Sequence, residues 1–246
     1  MNPSRVHLER GIAAFAASLP EGARVLDVGA GDCRYKPVFE GRAYESSDFA
    51  SVPGKRYAEL DHICDITAIP VEDGRYQGVL CSQVLAHVPD PVAAARELAR
   101  VLAPGGELWL SAPLYFQPNE PPYDFHRFTR YGLARIAEEA GLEVISIEPL
   151  DGYAAAAAYS LRMGFRGLPL RGSAYGGGVA GWMTVLAVAL SRPWMAAFSE
   201  LLARADVRHR ITDGPICKNY VLRARHPGDS DAARSPASPS SAETSA

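Results

Sequence analysis

The chain has 246 residues, 48% of them hydrophobic, with a formal net charge of −3 and 4 cysteines. That is enough apolar material for one α/β domain with additions, and the slightly acidic balance excludes a basic nucleic-acid-binding surface as the organising feature. Cys33, Cys64, Cys81 and Cys217 are scattered without a Cys-x-x-Cys pair, which argues against zinc or any other metal site and against a disulfide framework, and fits a reducing cytoplasm.

In chain order, Pro3 to Leu19 places Val6, Leu8, Ile12, Phe15 and Leu19 at near-helical spacing, so residues 1–20 read as an N-terminal helix rather than a signal peptide. Val25-Leu26-Asp27-Val28 then reads as a buried strand running into the turn Gly29-Ala30-Gly31-Asp32-Cys33. Such a turn brings a ligand against bare backbone at the carboxyl edge of a parallel sheet. A dinucleotide fingerprint requires a third glycine at the position of Arg34, so the pattern is broken for NAD. Asp27, just before the first glycine, suits a ligand with a positive amino group. A second strand around Arg42 to Ser46 ends near Asp48 and Phe49. Asp48 stands about twenty residues past the turn, where doubly wound sites place a carboxylate for ribose hydroxyls; Glu45 is the competing candidate.

Leu60 to Ile66 gives a third strand and turn, and Val79 to Cys81 a buried fourth strand with Ser82 and Gln83 at its carboxyl end, facing the ligand crevice. Asp90 and Pro91 open a helix through Leu102, which Pro104-Gly105-Gly106 ends before a fifth strand over Glu107 to Ser111. Leu142 to Ile147 and Lys218 to Arg225 supply the sixth and seventh strands.

Taken in order, these blocks resemble the class I S-adenosyl-L-methionine (SAM)-dependent methyltransferases, in the subgroup labelled type 11. The carriers are Asp27-Val28-Gly29-Ala30-Gly31, Leu85-Ala86-His87-Val88 and Arg100-Val101-Leu102-Ala103-Pro104-Gly105-Gly106. Cys33, Gln77 and Ala86 depart from the family's usual residues. The resemblance implies a Rossmann-like, doubly wound seven-stranded α/β sheet whose last strand is antiparallel between strands five and six, with residues 21–148 as the SAM-binding core and 216–226 as the last strand. It also implies a lid role for the N-terminal helix and adenine contacts at Asp65 and Ile66. The expected cofactor set is then Asp27, Gly29, Ala30, Gly31, Asp48, Phe49, Asp65, Ile66, Ser82 and Gln83. His87 reads as a structural residue of its loop.

The proline-rich stretch from Pro113 to Thr129 belongs beside the sheet edge where a sulfonium methyl would point. His126 is the candidate base, with Asp124 or Glu120 to orient it and Tyr123 to pack on the acceptor. The competing reading makes Asp124 and Arg127 a loop-shaping ion pair. Residues 149–215 form an apolar helical insertion: Ser173 to Ser191 has no charge, and Pro193 is expected to break the helix before a second apolar run. Three roles stay open for it, namely a cap over an apolar acceptor site, a membrane-contacting surface over 173–202, or a homodimer interface. Residues 227–246 read as a disordered tail. The expected function is methyl transfer from SAM to an O, N or C nucleophile of a small or lipid-linked acceptor, in the cytoplasm or at the inner face of the membrane. A SAM-binding module without transferase activity and a nicotinamide-dependent oxidoreductase are the alternatives.

Overall fold

The computed structural model describes residues 1–228, so the tail expected over 227–246 lies, from residue 229 on, outside them. The strands are β1 (Arg24–Val28), β2 (Ala43–Asp48), β3 (His62–Ile63), β4 (Tyr76–Ser82), β5 (Leu102–Pro113), β6 (Glu143–Pro149) and β7 (Asn219–Arg225). They form one seven-stranded sheet in the order β3-β2-β1-β4-β5-β7-β6, with β7 antiparallel to both β5 and β6. The strand order reverses at β1 and β4, which puts the carboxyl ends of those strands at a crevice.

Side-chain alternation explains why the central strands read as continuous apolar runs. Leu26, Val79, Leu108 and Leu110 join one core with Leu98 and Leu133, while Val25, Leu80 and Trp109 join a second core with Ile12 and Phe15. Neighbouring residues of one strand thus feed opposite faces, and both faces are covered. The first layer comprises α2 (Pro91–Val101) and α3 (Arg130–Glu139); the second is built on α1 (Pro3–Ser18). The caps are those the residues call for. Asp90 accepts from the Val92 and Ala93 amides at 3.1 and 2.9 Å, and Thr129 Oγ1 from the Gly132 amide at 3.1 Å.

Two local expectations are corrected. The third strand is only His62–Ile63, because Asp61 turns its carboxylate onto the Ser46 amide and hydroxyl, and Asp65 folds back onto Thr67. Pro193 does not break its helix: α5 runs unbroken over Gly178–His209. Its partner α4 (Tyr153–Gly167) packs along it, and the Arg192 guanidinium donates to the carbonyls of Phe165 and Leu168 beside the proline. Tertiary bonding there outweighs the one backbone bond that proline removes.

Candidate active site

The carboxyl edge of the sheet opens into a cavity of about 760 Å³. The glycine turn after β1 folds onto the end of β2. The Gly29 and Ala30 amides donate to the Ser47 carbonyl at 2.7 and 3.0 Å, and the Gly31 amide donates to Asp48 Oδ2 at 3.0 Å. Gly29 has φ +73°, and a Cβ there would meet Val84 Cγ2 at 2.2 Å. Close approach at Gly29 therefore serves packing against Val84, not only the ligand. Cys33 takes φ +53°, a left-handed backbone that glycine adopts without cost.

A diphosphate needs free backbone N–H groups; here the amides of Gly29, Ala30 and Gly31 are already consumed. What faces the cavity is acceptor-rich. Asp48 takes one amide on each oxygen, from Gly31 and from Ala50, both at 3.0 Å, and each oxygen keeps a lone pair. Asp65 Oδ1 accepts from the Thr67 amide and hydroxyl, which leaves Oδ2 uncommitted. Asp27 is buried and accepts from the Tyr44 hydroxyl at 2.8 Å. Burial, reinforced by nearby Asp48 and only partly offset by the Tyr44 bond, raises its carboxyl from 3.8 to about 7. The buried Ser47 Oγ has no hydrogen-bond partner among the described residues, and Ser47 lines the same cavity. The edge is built for hydroxyl donors and a cation, not for phosphate.

All the residues nominated from the sequence line this cavity except His126 and the competing Glu45. The His126 ring packs between Phe125 and Phe128, and Nε2 donates to the Pro89 carbonyl at 3.3 Å. Asp124 does not orient it. Its oxygens bind the Arg127 guanidinium at 2.6 and 2.9 Å and the Asn119 amide at 2.8 Å, and the arginine holds the carboxyl down at about 2. That ion pair shapes the loop. Glu45, the competing ribose candidate, is likewise committed, to Arg75, Tyr76 and His62.

The histidine that does line the cavity is His87. Its Nδ1 bonds the carbonyl oxygen of Tyr123. A carbonyl only accepts, so Nδ1 carries the hydrogen and Nε2 holds the lone pair of the neutral ring. Lys218, 5% exposed, also lines the cavity; its Nζ donates to Ser4 Oγ at 2.9 Å and lies 4.6 Å from the Tyr159 ring centroid. Burial pulls its ammonium below the ordinary lysine value, against Asp151 and Asp206. From α1, Ser4, Arg5 and Leu8 complete the wall. Neither Lys218 nor Ser4 carries a local sequence signal; only the fold brings them together from opposite ends of the chain.

Residues 4–147 match the family model described as "Methyltransferase domain". The chain belongs to that methyltransferase family. Its fold is shared with a putative methyltransferase from Bacillus halodurans C-125, at a TM-score of 0.54 and 16% identity over 89% of this chain and 98% of that one. It is also shared with the 1,6-didemethyltoxoflavin-N1-methyltransferase of Burkholderia thailandensis, solved with S-adenosylhomocysteine, at a TM-score of 0.51 and 17% identity over 89% and 78% of the two chains. Among curated proteins, a ubiquinone biosynthesis O-methyltransferase of Xanthomonas oryzae pv. oryzae (strain PXO99A) is 37% identical over 102 residues, 37% of this chain and 43% of that protein. The match thus spans less than half the length of this relative. SAM is the cofactor that goes with the family.

Proposed function

We propose that this methyltransferase-family chain transfers a methyl group from SAM to an oxygen nucleophile of a small or lipid-linked acceptor. The observation that carries the cofactor half is the acceptor-rich sheet edge, in which the amides of Gly29, Ala30 and Gly31 are spent on Ser47 and Asp48. Asp48 would take the ribose hydroxyls, Asp65 the adenine amine, and Asp27 the amino group of the methionine moiety. SAM, when bound, supplies an electrophilic methyl on a good leaving group. The chain's own task is then to hold the acceptor in line, which can supply much of the rate enhancement. Nitrogen or carbon acceptors remain within reach of the same geometry; the O-methyltransferase name of the Xanthomonas relative favours oxygen.

His87 is the base this reading assigns, in place of His126. The Tyr123 carbonyl fixes its tautomer, so that Nε2 can take a proton from an acceptor hydroxyl as the oxygen attacks. Tyr123 and Phe116 line the acceptor side with Lys218, and a buried ammonium there would favour an acceptor oxygen carrying negative charge.

Calorimetric titration with S-adenosylhomocysteine tests the cofactor half: one site per chain is expected, with no heat from NAD. Asp48→Ala should weaken that binding by about tenfold or more, the cost of losing charge-assisted hydrogen bonds. Undiminished binding would refute the ribose assignment. A panel of phenols, alcohols and amines, with and without alkyl tails, then scores the acceptor by S-adenosylhomocysteine release.

A further inference from the structure

The helical hairpin α4–α5 turns its apolar residues the wrong way for a soluble protein. The buried positions of α5 include Gly181, Val188, Ser199 and Ala203, small to medium in size. Its large apolar side chains face out: Val179, Met183, Leu186, Leu190, Trp194 and Leu201 are 59–78% exposed. At 100° per residue these six fall on one stripe, on the side opposite the buried set, and extend for about 33 Å. Trp182, 64% exposed, flanks the stripe near the hairpin's tip, where Leu168 and Leu170 are also exposed.

The charge pattern says what covers this face. Residues 152–199 contain Arg162, Arg166, Arg171 and Arg192 and not one Asp or Glu, in a chain whose net charge is −3. Arg166 and Arg171 are exposed and make no ion pair among the described residues. Glu200, at the root end of the stripe, is neutralised by Arg162, Arg204 and the N-terminus, so an apolar stripe with exposed tryptophans and two unpaired arginines toward its tip complements anionic headgroups above an acyl layer. A two-fold contact with a second copy running parallel would instead set these unneutralised arginines against each other.

We infer that the α4–α5 hairpin docks this protein on an anionic phospholipid bilayer, lying in the interface. α5 has the length and hydropathy to cross a membrane, but its C-terminal part is fastened to the protein. Buried Asp206 accepts from the Gly152 and Ala155 amides and contacts His7 Nε2 at 3.0 Å. The root of the hairpin borders the cavity: the Tyr159 ring stacks on Phe116 at 5.4 Å and its hydroxyl accepts from the Gln117 amide at 2.9 Å. Docking therefore brings the acceptor side next to the lipid.

Sedimentation of the full chain with phosphatidylglycerol/phosphatidylcholine vesicles tests this without any need for methyl transfer. Binding is expected to the mixed vesicles, to be reversed by high salt and absent on pure phosphatidylcholine. Tryptophan emission should shift to the blue, a signal from Trp182 and Trp194 because Trp109 is buried at 3% exposure. Arg166→Gln with Arg171→Gln should weaken partitioning about thirtyfold, and Trp182→Ser with Trp194→Ser should abolish the emission shift. Both double variants lie on the surface, and S-adenosylhomocysteine binding or circular dichroism verifies that they fold. No partitioning into anionic vesicles, or equal partitioning into neutral ones, would overturn the inference. So would a stable dimer that Trp194→Glu dissociates in a chain that leaves vesicles unbound.

Discussion

The Asp27→Asn substitution probes the cofactor edge most directly, because it removes a charge and keeps the shape. In the unfolded chain the Asp27 carboxyl loses its proton near 3.8; in the folded chain burial keeps it until about 7. Below 3.8 both states are protonated and the site costs nothing. Between the two values the folded chain holds a proton that the unfolded chain has lost, so stability falls as pH rises. Above about 7 the cost is complete and constant, about 4 kcal/mol at 1.36 kcal/mol per pH unit. Asparagine keeps an oxygen to accept from Tyr44 and carries no charge to desolvate. Denaturant unfolding without ligand should find the variant more stable than the wild type, by a margin that grows by about 2.5 kcal/mol between pH 5 and pH 8. Binding should go the other way. If Asp27 meets the ligand's ammonium, wild-type affinity for S-adenosylhomocysteine climbs up to about tenfold per pH unit below 7, and the variant shows neither that slope nor the full affinity. Unfolding curves that stay parallel across pH would refute the buried-carboxyl argument; affinity lost without a change in pH slope would refute the ammonium contact.

Gly29→Ala should destabilise by about 2–5 kcal/mol, from a positive φ and a Cβ driven into Val84. Val84→Ala in the same chain should recover the packing share and leave the backbone share, as read by denaturant midpoints. His87→Asn keeps a donor for the Tyr123 carbonyl and removes Nε2. With a turning-over hydroxyl acceptor, kcat should fall by about 10²–10⁴ while S-adenosylhomocysteine affinity holds. An unchanged kcat would mean that positioning alone carries the reaction.

Much of the fold was legible because the central strands are buried on both faces and their ends carry strong local signals. Val25 to Val28, the turn at Gly29 and the caps at Asp90 and Thr129 are short-range features, and short-range features survive folding. The errors share a long-range origin. His126 looked like a base because it sits in a polar loop, yet the loop's direction is set by the amides of Phe125 and His126 donating to the Ala86 carbonyl, nearly forty residues upstream. That bond pair turns His126 outward and brings the Tyr123 carbonyl onto His87. Pro193 reads as a breaker only while α4 is out of view, and an insertion apolar all round does not announce which face it will expose. The choice of cofactor class shows the same division. Asp27 and the missing glycine at Arg34 argue against a dinucleotide by pattern alone. The stronger reason is that Ser47 and Asp48 have already taken the amides a diphosphate would need, and the partners of those amides lie on another strand. A glycine turn does not by itself recognise phosphate: it does so only where its N–H groups are left free, and here β2 has used them.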